Sequence, residues 1–163
     1  LLVAGVAVSL LAPILFQKAG DASTQHRVEE VYRLTKIITV ITLPCLFIVA
    51  FFGHLYKDWI FSIAVNENFH EYSYLFPLMI LAAGFHGCHQ IIGMRFSASL
   101  NVKKLLLPQI LSALLFVIFN FLGAYMAGVN GLVYAFLGAS LIYFVWILVF
   151  SEIIRYQNVK DGL

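Results

Sequence analysis

Ala82, His86, His89, Gln90, Gly93 and Ser97 follow one another at intervals of four, three, one, three and four residues. At 100° per residue they lie within about 60° of one line along a helix, as a polar and small-residue stripe on an otherwise apolar cylinder. Imidazole and amide side chains at this spacing can exchange hydrogen bonds, hold a proton or line a wet path. Facing lipid they would leave polar atoms unpaired in hydrocarbon, so the stripe must face protein or a cavity. Two uses remain open for His86, His89 and Gln90: bridging to neighbouring helices, or lining a substrate path. Asn120, an amide inside a later apolar run, is open to the same two readings. Two histidines at i and i+3 could also suggest a metal. No Asp, Glu or third His joins them on a readable span, so neither metal nor other cofactor is expected. Phe85, Ile92 and Arg95 fall on the opposite face, where Arg95 reads as a side chain snorkelling to phosphate level.

The elements that must position this stripe are long and apolar. Of the 163 residues 62% are hydrophobic and 11% charged, a composition far from that of a water-soluble domain. Five runs stand out, at 1–16, 37–52, 73–94, 105–127 and 131–150, and all but the first approach the length of about 20 residues needed to cross hydrocarbon. The expected fold is therefore all-α, a polytopic helical membrane protein with five transmembrane helices. Nine of the ten Lys and Arg residues fall in alternate gaps: Lys18, Arg27, Arg33 and Lys36, then Arg95, Lys103 and Lys104, then Arg155 and Lys160. Retention of basic residues during insertion puts those regions and the C-terminus in the cytoplasm, and the gaps at 53–72 and 128–130 outside. The net charge of +2 is too small to suggest nucleic acid as a partner.

Between the runs the chain gives shorter signals. Residues 21–36 read as an amphipathic cytoplasmic linker helix, capped by Ser23, with Val28, Val31, Tyr32 and Thr35 at helical spacing. Pro44 is expected to kink the second span. Trp59, Tyr72 and Tyr74 mark the outer gap as a headgroup-level segment. The basic stretch Asn101, Val102, Lys103, Lys104 and the turn Gly128, Val129, Asn130, Gly131 make the last three spans antiparallel neighbours. Gly131, Ala135 and Ala139, and Asn120, Gly123, Ala124 and Ala127, are spaced for close helix contact. Cys45 and Cys88 sit inside spans and read as small hydrophobes. No nucleophile elbow, phosphate loop or HExxH helix occurs, and the carboxylates lie in gaps or the tail, so no enzyme activity is expected.

Residues 71–150 resemble the C-terminal half of polysaccharide and oligosaccharide-lipid flippases of the multidrug/oligosaccharidyl-lipid/polysaccharide exporter superfamily. The resemblance rests on the proline-started helix Leu75, Phe76, Pro77, Leu78, the hairpin Asn101 to Lys104, Asn120 with Gly123, and the turn Gly128 to Gly131 leading to Ala135. Pro13, Ile14, Leu15 and Phe16, followed by an amphipathic linker, are similar too. It implies two helical bundles around a central cavity that move a lipid-linked saccharide from the cytoplasmic to the outer leaflet by alternating access. The chain would supply the last five helices of a second six-helix bundle in a bacterial cytoplasmic membrane. Its partners would be the bilayer, the lipid-linked saccharide and a missing N-terminal bundle of the same chain. Its start in the middle of an apolar run fits that expectation of a C-terminal piece. Two other functions stay open: a cation-coupled drug or metabolite exporter, which needs an intramembrane carboxylate elsewhere, and a membrane-embedded enzyme subunit with His86 and His89 as acid–base groups.

Overall fold

The computed structural model describes residues 24–98 and 102–160. Its elements are helical: α1 (Thr24–Leu55), α2 (Lys57–Ala64), a 3-10 helix (Glu67–Leu75), α3 (Phe76–Ala98) and α4 (Val102–Lys160). Three stretches, Glu29–Leu55, Glu67–Phe96 and Pro108–Ile154, are long and apolar enough to cross a membrane. The described residues are thus helical throughout their elements, and the chain is a multi-pass membrane protein. The expected span at 1–16 lies outside the described residues, so the count of five is not reached.

The expected linker and second span are one helix. Nothing between residues 36 and 37 breaks it, because Val31, Thr35, Thr39, Leu46 and Ala50 continue a single buried stripe from one segment into the next. That stripe packs antiparallel to α3. Thr35 meets Arg95, Phe47 meets Phe85, and the Leu46 side chain fills the space beside Gly84. The linker's apolar face is therefore spent on the protein's own core instead of a membrane surface. The gap at 53–72 is ordered as α2 and the 3-10 helix, with Asn66 capping the latter through Asn68 N. Ser73 donates to Asp58 (2.7 Å) and Phe61 packs on Phe76, which fixes α2 against the start of α3. Pro77 sits in the first turn of α3, where a missing N–H costs nothing.

α4 is two helices joined at Ala127 (φ −142°) and Gly128 (φ +58°). Gly128 supplies the left-handed backbone that lets the chain reverse there. The reversal falls at 127–128, just ahead of the expected Gly128–Gly131 turn, and residues 129 onward are again helical. The first arm (102–126) and second arm (129–160) then run antiparallel, with Phe116 against Phe136. Gly123 and Gly131 meet backbone to backbone, and a Cβ on either would collide with the other's carbonyl. The small-residue spacing thus produces the close contact it suggested.

α3 lies at the centre, packed on α1 and on both arms of α4, and is the most enclosed of the three. Phe85, Cys88, Ile92, Phe96, Phe144, Ile147 and Ile154 form the core between α3 and the second arm. The outward faces are apolar, with Phe121 71% and Tyr125 84% exposed, as lipid requires and water would not tolerate.

Candidate functional site

Of the predicted stripe, His86 and His89 face the seam where α3 meets the two arms of α4, while nothing lies within 4 Å of where a Cβ on Gly93 would stand, and the opposite face with Phe85, Ile92 and Arg95 is buried as well. His86 reaches into that seam, with its ring 5.7 Å from Phe116 of the first arm and 6.3 Å from Phe136 of the second. His89, one turn on and only 9% exposed, stacks edge-on with Tyr143 at 4.5 Å. The two imidazoles lie 4.4 Å apart and nearly perpendicular, at 84°. Gln90 Nε2 stands 3.3 Å from His86 Nε2, the i and i+4 pairing that the helix dictates. The structure therefore brings His86, His89 and Gln90 together.

Asn120 does not join them. Its amide donates to Phe116 O (2.7 Å) four residues back on its own helix, so the amide that read as an interhelical bond or a path residue is satisfied locally. The side chain of Ser97 lies outside the described residues.

Among the described residues most buried polar side chains find partners; His86 Nδ1 and Ser140 Oγ have none, while His89 bonds to the Phe85 backbone one turn back on its own helix. Ser140 lies on the face of the second arm between Phe136 and Tyr143, the two rings that touch the histidines. An orphaned buried donor or acceptor costs about 1–3 kcal/mol, so these two atoms are the least satisfied polar groups described in the seam. Beside it, Ser112, Phe116, Phe119, Tyr143 and Trp146 line a shallow cleft between the arms, in which Tyr143 and Ser112 are hydrogen-bonded. Among the described residues no three His, Cys, Asp or Glu side chains converge as metal ligands would.

A second polar cluster went unread in the sequence. Arg95 does not snorkel; it is 8% exposed. Its Nε donates to Thr35 Oγ1 (2.8 Å) and its Nη1 to Ser151 Oγ (3.0 Å), with Glu152 at 3.8 Å. The guanidinium lies 4.2 Å over the Tyr32 ring, and the Tyr32 hydroxyl donates to Glu152. Thr35 and Ser151 each donate in turn to carbonyls of their own helices, Val31 and Leu148, leaving their lone pairs to accept from Arg95. The cluster ties α1, α3 and the second arm of α4 at one end. Its signals were Thr35 on the buried face of the linker and Glu152 at the close of the last apolar run, both opaque until three helices are placed in register.

These features define a multi-pass helical membrane protein with a polar seam in its interior and a charged knot at one end. Comparison with protein-family profiles, curated proteins and solved structures finds no match to the chain.

Proposed function

We propose that the chain is the C-terminal bundle of a transporter that flips lipid-linked saccharides across a bacterial cytoplasmic membrane by alternating access. The observation that carries this reading is the cluster of His86, His89 and Gln90 at the seam between α3 and α4, where Gln90 meets His86 Nε2 and His86 Nδ1 has no partner. A saccharide headgroup presents hydroxyls that donate to and accept from such groups, while its lipid tail stays in the bilayer. In this reading residues 1–16 supply a fifth span, Lys103, Lys104 and the C-terminus lie in the cytoplasm, and Lys57 and Glu67 face outward. The resemblance set out from the sequence supports the same assignment, as does the antiparallel arrangement of the last spans.

Replacing His86, His89 and Gln90 by Leu in the full protein should abolish saccharide export while membrane insertion continues, because Leu is favoured in hydrocarbon by a few tenths of a kcal/mol, about 0.3–0.6. Full export by that variant at ordinary membrane levels would remove the stripe as the substrate path.

A further inference from the structure

The two arms of α4 are not held alike. The second arm is fastened near both ends: at its start the Tyr74 hydroxyl donates to Asn130 Oδ1, and toward its close Ser151 and Glu152 join the Arg95 knot. The first arm meets the rest of the molecule along one thin line. From 108 to 126 every residue is exposed except Pro108, Ser112, Phe116, Asn120 and Gly123, which recur every three or four residues as a single stripe. Of these Asn120 bonds its own helix, and among the described residues the polar link from the stripe to another helix is the one between Ser112 and Tyr143.

The arms also part with distance from their junction. Gly123 and Gly131 touch backbone to backbone beside the reversal. Further along, Phe119, Leu115 and Ser112 of one arm and Ala139, Ile142 and Trp146 of the other border the cleft, so the pair forms a narrow V with the glycines near its point. The point itself can turn. Ala127 lies outside helical backbone, Gly128 is left-handed, and nothing stands within 4 Å of where a Cβ on Gly128 would be, so the reversal has open space around it. A few residues of that kind absorb the φ/ψ change when a rigid helix swings. What the first arm covers is His86, whose ring lies 5.7 Å from Phe116.

We infer that the first arm of α4 is a hinged cover, which swings about the Gly123–Gly131 contact and the reversal at 127–128 and so opens the seam at His86 sideways, between the two arms. The motion is small. Phe116 lies seven residues from Gly123, about 10 Å along the helix, and Leu111 lies twelve residues from it, about 18 Å. Shifting Phe116 by the thickness of an aromatic ring, about 3.5 Å, therefore carries Leu111 about 6 Å. Opening breaks the bond between Ser112 and Tyr143 and separates Phe116 from Phe136, while the glycine contact and the Arg95 knot stay closed. Because the cleft is lined by no charged side chain, the way in suits a molecule already dissolved in the bilayer. The hinge does not depend on the flippase reading; entry of a lipid-linked saccharide by this route rests on it.

The test is the distance between pairs of spin labels on the full chain in lipid nanodiscs, attached to introduced cysteines in a Cys45→Ala background, since Cys88 is buried. Leu111→Cys with Val145→Cys, away from the hinge, should give two distances about 6 Å apart. Leu122→Cys with Leu132→Cys, beside the hinge, and Ile37→Cys with Ile153→Cys, beside the knot, should give one distance each. All six positions are exposed, so the labels disturb no packing. Gly123→Ala drives a Cβ against Gly131 O and should shift the 111–145 pair toward its longer distance. A single 111–145 distance, or the same spread in all three pairs, would overturn the inference whether or not Gly123→Ala folds. Two distances together with full export by the triple Leu variant would leave the hinge standing and remove the substrate path beneath it.

Discussion

The knot around Arg95 and the seam around His86 and His89 lie on the same helix and are both enclosed, yet they are built in opposite ways. At the knot the strongest donor in the region is met by two hydroxyls, a carboxylate and an aromatic face, and those hydroxyls also satisfy their own helices. At the seam His86 Nδ1 and Ser140 Oγ are enclosed with no partner. A satisfied buried network rigidifies the helices it joins, whereas an unsatisfied one is a cost kept only where the site acts. The knot is accordingly read as the fastening of α1, α3 and the second arm of α4, and the seam as the place of work.

The largest effect expected from this contrast is at Arg95. Arg95→Met removes two hydrogen bonds from a charged donor and should lower stability by about 2–4 kcal/mol, seen as a lower unfolding midpoint in detergent and less folded protein in the membrane. Arg95→Lys should recover little, because a lysine lacks the fork that reaches Thr35 and Ser151 together. Near-normal stability of Arg95→Met would make the knot incidental.

Next in size is the contact between the arms of α4. Gly131→Val or Ala135→Leu should push the arms apart and cost about 1–3 kcal/mol, read as lower folded yield. An unchanged yield would mean that the second arm is held by α3 alone. Smaller again is Asn120→Ala. Its amide bonds only its own helix, so the change should stay within about 1 kcal/mol and leave export intact; a large loss of export would restore Asn120 to the path. Topology is read without any energy change: a cysteine at position 103 should resist an impermeant outside reagent, while one at 67 reacts.

Much of this arrangement was legible in the sequence because hydrocarbon leaves few choices. Apolar length gave the helices, the glycine spacing gave the close approach of the two α4 arms, and the 100° rule placed His86, His89 and Gln90 on one side of α3. Local signals failed where the answer depends on a third helix. The linker at 21–36 read as separate from the next span because its polar residues suggested water, while Thr35 in fact turns inward to Arg95. Arg95 read as snorkelling because its partners Ser151 and Glu152 stand more than fifty residues further along the chain. Asn120 read as an interhelical bond or a path residue because the sequence cannot show that an amide bonds the carbonyl four residues back.

The contrast is tested most directly by the unfolding midpoint of the His86→Leu, His89→Leu, Gln90→Leu variant, measured beside wild type and Arg95→Met in the same lipid nanodiscs. Replacing orphaned polar groups by apolar ones of similar bulk removes a cost and breaks little, so the triple variant should unfold at or above the wild-type temperature, while Arg95→Met falls well below it. A fall in the triple variant as large as that of Arg95→Met would show the histidines to be structural bridges and contradict the reading of the seam as the working site.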